Sequence, residues 1–379
     1  MEGFNHVRPV QSGPRLNSGP FAQLGNSARH FPRHCSQLRC RQSFSTSRPA
    51  DGLNGLPIGR VSPMPITFLL SAQADLDGTS RRDLARRCAA GELVRLRRGI
   101  YIPADQWQGL TPWERERVRL AAVAGDQAAG RILMQQSAAA MWRLPTIGPQ
   151  TKVMLLASGA AHGRSRGDLR WAERRLLEPI TAVDGISVTS RTQTVLDMAA
   201  YLPFEQAVPA MDHVLRIDHV QKLPALEKGG LRRLARQLTI GTRQARAHRV
   251  IDFADARSES PGESYSRALM YRHGLPIPEL QREFHGPDGR LLGRTDFYWE
   301  EEKLVGEFDG AVKYGSPLGG NQQPGRDTLL REKRREDAIR ATGVGFVRWS
   351  WADLQSSPQD PDGLIQRLVR AGLPRKRRR

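Results

Sequence analysis

Gly293-Arg294-Thr295-Asp296-Phe297-Tyr298-Trp299 and, after a short turn, Lys303-Leu304-Val305-Gly306-Glu307-Phe308-Asp309-Gly310 set acids among aromatic and aliphatic residues. Both read as strands. Glu307 and Asp309 alternate with Phe308, so at period two they point to one face. Two adjacent antiparallel strands can then gather Asp296, Glu307 and Asp309 around one point. Converging carboxylates repel unless a cation neutralises them, and hard oxygen ligands suit Mg²⁺ or Mn²⁺. Such an ion activates water and offsets the charge that develops on a phosphodiester. Asp296, Glu307 and Asp309 are therefore candidate metal ligands. Glu263, on the preceding helix, is a further candidate catalytic carboxylate. Lys313 and Lys333 are candidates to orient the attacking water or stabilise the pentacovalent state. The plainer alternative makes these acids ordinary strand-end or surface carboxylates.

Around this pair of strands the pattern predicts a helix from Pro261 to His273, strands at 279–285, 291–299 and 303–308, a helix over 326–342, a strand at 344–350 and a helix near 360–371. The order α-β-β-β-α-β-α predicts an α/β sandwich on a mixed sheet. The segment from about Glu263 to Leu354, about a quarter of the chain, resembles the restriction-endonuclease-like PD-(D/E)xK superfamily, and within it the very-short-patch-repair (Vsr)-like branch. The residues that carry the resemblance are Glu263, Gln281, Thr295-Asp296, Glu307-Phe308-Asp309-Gly310, Glu332-Lys333-Arg334-Arg335-Glu336-Asp337 and Val347-Arg348-Trp349-Ser350-Trp351. It implies a metal-dependent DNA endonuclease. One departure stands out: the superfamily pattern ends Glu-x-Lys, and here the third position is Asp309. The lysine must come from Lys313 or Lys333, or be absent.

Nearer the start, Ser80 and Asp83 approximate a capping box ahead of Leu84-Ala85-Arg86-Arg87-Cys88. Leu93, Leu96, Ile100 and Ile102 then suggest two short strands turning near Arg98-Gly99. A helix followed by a two-stranded wing is the winged helix-turn-helix layout, whose second helix enters the major groove. Candidate DNA-binding residues are Ser80, Arg81, Arg82, Arg86 and Arg87 on the helix and Arg97 and Arg98 on the wing, with Arg95 beside them. Residues 67–216 are similar to the AbiEi family of antitoxins of type IV toxin–antitoxin systems. The similarity rests on Thr79-Ser80-Arg81-Arg82-Asp83-Leu84, Arg97-Arg98-Gly99-Ile100-Tyr101, Ser137-Ala138-Ala139-Ala140 and Thr189-Ser190-Arg191-Thr192-Gln193-Thr194-Val195-Leu196-Asp197. In the last motif the family usually carries an arginine where Gln193 stands. This resemblance implies a DNA-binding repressor of its own operon and a nucleotidyltransferase-type toxin as partner. Arg191, near a helix start, and Asp197, within that helix, read as structural polar residues.

The chain has 379 residues, a formal net charge of +19 and an isoelectric point near 10.9. That excess favours polyanions, nucleic acid first among them, although a GC-rich genome also enriches arginine. No apolar run approaches a bilayer span, so no membrane partner is expected. The three cysteines form no CxxC pair and suit a reducing cytoplasm. No HExxH, Walker or GxSxG motif occurs. The fold class expected is α/β and multidomain, divided as follows. Residues 1–62 form a disordered basic arm, or precede a true start at Met64; 63–108 form the winged helix-turn-helix and 109–240 an α+β domain. Residues 241–258 form a linker or a helix leading into the last domain, 259–372 the endonuclease-like domain and 373–379 a basic tail. Two functions follow: a winged-helix protein with a metal-dependent endonuclease domain, or a non-catalytic regulator of antitoxin type with a degenerate nuclease fold.

Overall fold

The structure, a computed structural model, describes residues 68–71, 80–125, 130–157, 163–310 and 326–376, all within the compact unit Pro57–Arg379. The arm expected at 1–62, Met64, Lys313 and residues 377–379 lie outside them. The architecture is mixed α/β, and among the described residues no helix is long and apolar enough to cross a membrane.

The first sheet has the order β1-β3-β2, with β1 (Leu69–Leu70) outermost. Between β1 and β2 lies α1 (Arg81–Ala89). Its cap is Ser80, whose hydroxyl accepts from the Asp83 N–H at 3.1 Å and satisfies one of the amides that a helix start leaves bare. The strands β2 (Leu93–Arg97) and β3 (Ile100–Pro103) pair antiparallel around Arg98-Gly99. Gly99 has φ +80°, and a Cβ there would stand 2.8 Å from the Ser71 hydroxyl. Leu84, Leu93 and Tyr101 turn inward to form a small core of their own.

Next come α2 (Ala104–Gln108), α3 (Pro112–Ala124) and α4 (Gln135–Met141). The stretch from Pro112 to Met141 is thus two helices. Gly125 caps α3 on the Ala121 carbonyl, and Leu133 is drawn out to bridge Leu155 and Val188. The strands β4 (Val153–Leu156), β5 (Ser165–Arg166) and β6 (Leu169–Ala172) form a sheet ordered β4-β6-β5. A hairpin of β7 (Thr181–Val183) and β8 (Ile186–Val188) follows. Four helices complete this part: α5 (Arg191–Tyr201), α6 (Phe204–Val214), α7 (Lys228–Ala235) and α8 (Gly241–Phe253).

The last of these decides between the linker and the helix expected at 241–258 in favour of a helix. Ala247, Val250, Ile251 and Ala254 are all at most 2% exposed and lie in the same core as α5 and α6. Their spacing of three and four makes one apolar stripe on a helix otherwise crowded with arginine. Average polarity hid that stripe.

The C-terminal sheet has the order β12-β11-β10-β9. It is built from β9 (Glu279–His285), β10 (Leu291–Trp299), β11 (Leu304–Asp309) and β12 (Gly345–Ser350). Only the β11–β12 pair is parallel, and between those strands the chain runs through α10 (Arg326–Arg340). One face carries Phe297, Trp299, Leu304 and Trp349. It packs on α9 (Pro261–Arg272), α11 (Trp351–Gln355) and α12 (Leu364–Arg370). The other carries Tyr298 and Val305 and packs on Ile339 of α10. Helices on both faces make an α/β sandwich, as the sequence predicts. The tail begins later than residue 373: Leu373 is buried, and the Lys376 N–H donates to the Gly274 carbonyl at 2.9 Å.

Candidate functional site

The ladder between β10 and β11 pairs Trp299 with Leu304, Tyr298 with Val305 and Phe297 with Gly306. One step further in that register Asp296 stands opposite Glu307, so alternation puts both on the α10 side. There the strands part, and the Asp296 carboxylate takes the Phe308 N–H that the ladder leaves over, at 2.9 Å. Glu263 comes in from α9, on the other face. Its Oε2 accepts from the Glu259 N–H at 2.8 Å and from Gln281 Nε2 at 3.0 Å. Burial, then the nearby Glu263 and Glu307 charges, push the Asp296 carboxyl up to about 7. Burial also raises Glu263.

Three of the expected residues, Glu263, Asp296 and Glu307, are thus brought together. Asp309 lies exposed at the end of β11. Lys333 is exposed on α10, and Lys313 lies outside the described residues. What sequence reasoning missed is what holds Glu307. Arg335 Nη2 donates to Oε1 at 2.6 Å, and Arg348 donates to Oε2 through Nη2 at 2.9 Å and Nε at 3.1 Å. Glu332 Oε1 joins both guanidiniums at 2.6 Å. Hydrogen bonds to Glu332 raise Arg335, and bonds from Arg335 lower Glu332. The signal was present as a helical spacing. Glu332, Arg335 and Glu336 share one face of α10, and Lys333, one residue along, is turned about 100° away. Arg348 is fixed by register, since it stands opposite Glu307 in the parallel ladder.

The chemistry of the donors decides whether Mg²⁺ or Mn²⁺ suits this arrangement. Among the described residues no three His, Cys, Asp or Glu side chains are placed to hold a metal ion. Each oxygen of Glu307 already faces a guanidinium, whose charge would repel an incoming cation. As built, the residues do not fit a divalent cation.

Phe308 positions the cluster, and Gly262 positions Phe308. A Cβ at residue 262 would stand 1.9 Å from the Phe308 ring, too close for any side chain. Gly262→Ala should therefore displace Phe308, whose N–H holds Asp296. We expect a loss of about 1–3 kcal/mol in urea unfolding, as for other overpacked sites. An unchanged midpoint would show that the ring moves without cost.

The expected DNA-binding residues divide. Ser80 is spent as the cap of α1. Arg86 pairs with Asp83, Arg87 with Glu92 at 3.0 Å and Arg97 with Asp168 at 3.3 Å. Arg81, Arg82 and Arg98 are exposed. Arg191 and Asp197 make internal contacts: Arg191 donates to the Pro224 carbonyl, and Asp197 accepts from Gln193 Nε2 at 3.0 Å.

No family model matches the chain. It is 28% identical over 188 residues to two uncharacterized proteins of Mycobacterium tuberculosis, MT2308 of strain CDC 1551 / Oshkosh and Rv2248 of strain ATCC 25618 / H37Rv. Each match covers 50% of this chain and 62% of the relative, so the chain spans about three-fifths of the length of the proteins it resembles. Among solved structures it is similar to the RV2827C protein of Mycobacterium tuberculosis, at 16% identity and a TM-score of 0.32, over 58% of this chain and 84% of that one.

Proposed function

We propose that the protein binds duplex DNA through α1 and the β2–β3 hairpin, in a winged helix-turn-helix manner. We further propose that its C-terminal domain has a restriction-endonuclease-like fold that does not cut. The observation that carries the DNA reading is the division of the first sheet and its helix. Leu84, Leu93 and Tyr101 are buried, while Arg81, Arg82, Arg95 and Arg98 are exposed. Guanidiniums set outward on a helix and the adjoining hairpin suit phosphates and groove edges. The non-cutting reading is supported by the poor fit to a divalent ion and by Asp309 in the lysine position. The resemblance of residues 67–216 to the AbiEi antitoxins supports reading the protein as a regulator of that type, which would act on its own operon opposite a nucleotidyltransferase-type toxin. One observation favours the second reading, a Mg²⁺- or Mn²⁺-dependent endonuclease: Glu263 and Glu307 do stand beside Asp296.

The test is binding of a fluorescent duplex across a salt series. Affinity should fall steeply with salt, since each phosphate contact releases counterions. Arg82→Ala with Arg98→Ala should weaken binding roughly tenfold or more and flatten the salt slope by about two units. Binding and slope identical to the wild type would remove α1 and the hairpin from the interface.

A further inference from the structure

Within the carboxylate cluster of the C-terminal sheet, the Glu307 charge is compensated by two guanidiniums of this same chain. We propose that Arg335 and Arg348 permanently take the place of a divalent cation at Glu307, so that this carboxylate is neutralised from within and the protein takes up no metal there. This inference rests on the endonuclease-like reading of the domain.

Four observations support it. First, the two guanidiniums engage both oxygens of one carboxylate, Oε1 through Arg335 and Oε2 through Arg348. An entering ion would have to compete with a guanidinium at either oxygen. Second, the pair is anchored apart from Glu307. Arg335 Nη1 donates to the Arg294 carbonyl at 3.1 Å, and its side chain lies where a Cβ on Gly293 would stand 3.0 Å away. Arg348 is placed by the parallel ladder and lies 5.2 Å from the Phe346 ring centroid. Third, Glu332 bridges the two guanidiniums, and Glu336 stands 3.3 Å from Arg348, so the arginines are held against mutual repulsion. Fourth, Glu307 is only 13% exposed. There a guanidinium, which keeps its charge at any ordinary pH, is a stable counter-ion. A lysine in the usual position could serve a metal site; two arginines on the ligand itself replace the metal.

The experiment uses the full chain and Mn²⁺ as the probe, with two readouts: thermal unfolding, and Mn²⁺ binding by electron paramagnetic resonance. The wild type should show no shift in melting temperature at millimolar Mn²⁺ and no bound ion. Arg335→Ala with Arg348→Ala uncovers the acids, so Mn²⁺ should bind and raise the melting temperature by several degrees. Adding Glu307→Gln should abolish that gain. If the double variant does not fold, Arg348→Gln alone frees Oε2 and should show a smaller Mn²⁺ shift. Mn²⁺ binding by the wild type that Glu307→Gln removes would overturn the inference, and DNA cleavage alongside it would overturn the non-cutting reading as well. A folded variant that ignores Mn²⁺ would overturn the inference alone and leave the DNA-binding reading standing.

Discussion

Arg267→Ala is expected to cost about 3–5 kcal/mol of unfolding free energy, the range for a buried ion pair that loses one partner. Arg267 Nη2 meets Asp212 Oδ2 at 2.8 Å, with the two side chains 4% and 0% exposed. Asp212 Oδ1 also accepts the Asp255 N–H at 2.8 Å, and Arg267 Nη1 donates to the Phe253 carbonyl at 2.8 Å. The guanidinium lies 4.1 Å from the centroid of the Phe253 ring. The pair joins α6 to α9, and α9 serves two cores at once: Ala268 packs with the helices of the middle region and Met270 with the C-terminal sheet. Alanine would strand the Asp212 charge where no water reaches it. Asp212→Asn in the same background should recover part of the loss, because the stranded charge then disappears. By contrast Arg232→Ala breaks an exposed pair with Asp252 and should cost no more than about 1 kcal/mol. Urea unfolding of the three variants measures this. A cost for Arg267→Ala as small as that of Arg232→Ala would mean that the two cores are not coupled through this contact.

The second large effect depends on pH. Asp197 is 0% exposed, and its Oδ2 has no hydrogen-bond partner. Burial pushes its carboxyl up to about 7, against the smaller opposing pulls of Arg174 and Gln193. A carboxyl with a raised folded pKa binds more protons in the folded than in the unfolded chain between about pH 4 and pH 7. Stability therefore falls as pH rises through that window, and the full cost is present above it. A shift from 3.8 to about 7 sets an upper bound of about 4 kcal/mol. Asp197→Asn removes the titration. The stability difference, variant minus wild type, should be up to about 2.5 kcal/mol more favourable to the variant at pH 8 than at pH 5, since part of the cost is already present at pH 5. Asp296 titrates in the same range in both proteins and cancels from this difference. A difference that does not change with pH would place the Asp197 pKa near its ordinary value.

Much of the C-terminal sandwich was legible because its strands are short, aromatic and sharply bounded. The strands expected at 279–285 and 291–299 match β9 and β10 to the residue. The meeting of Asp296 and Glu307 was legible for the same reason, since period-two alternation and an antiparallel neighbour suffice to place them. The arginine bridge was not. It joins residues on β11, α10 and β12, and nothing local to Glu307 announces Arg335, 28 residues away. Lys333 drew attention by chemical type, whereas helical phase selects Arg335. The sequence left Gly241–Phe253 open between linker and helix for a related reason: four small or aliphatic residues at the right spacing outweigh the arginines around them only once a core is there to receive them.

The most direct test of the account is to incubate the purified full chain with supercoiled plasmid and Mn²⁺ or Mg²⁺, and to follow binding and nicking in the same samples. The account predicts retarded but intact supercoiled DNA. Nicked or linear product that disappears in Asp296→Ala and Glu307→Ala would contradict it and establish a metal-dependent nuclease.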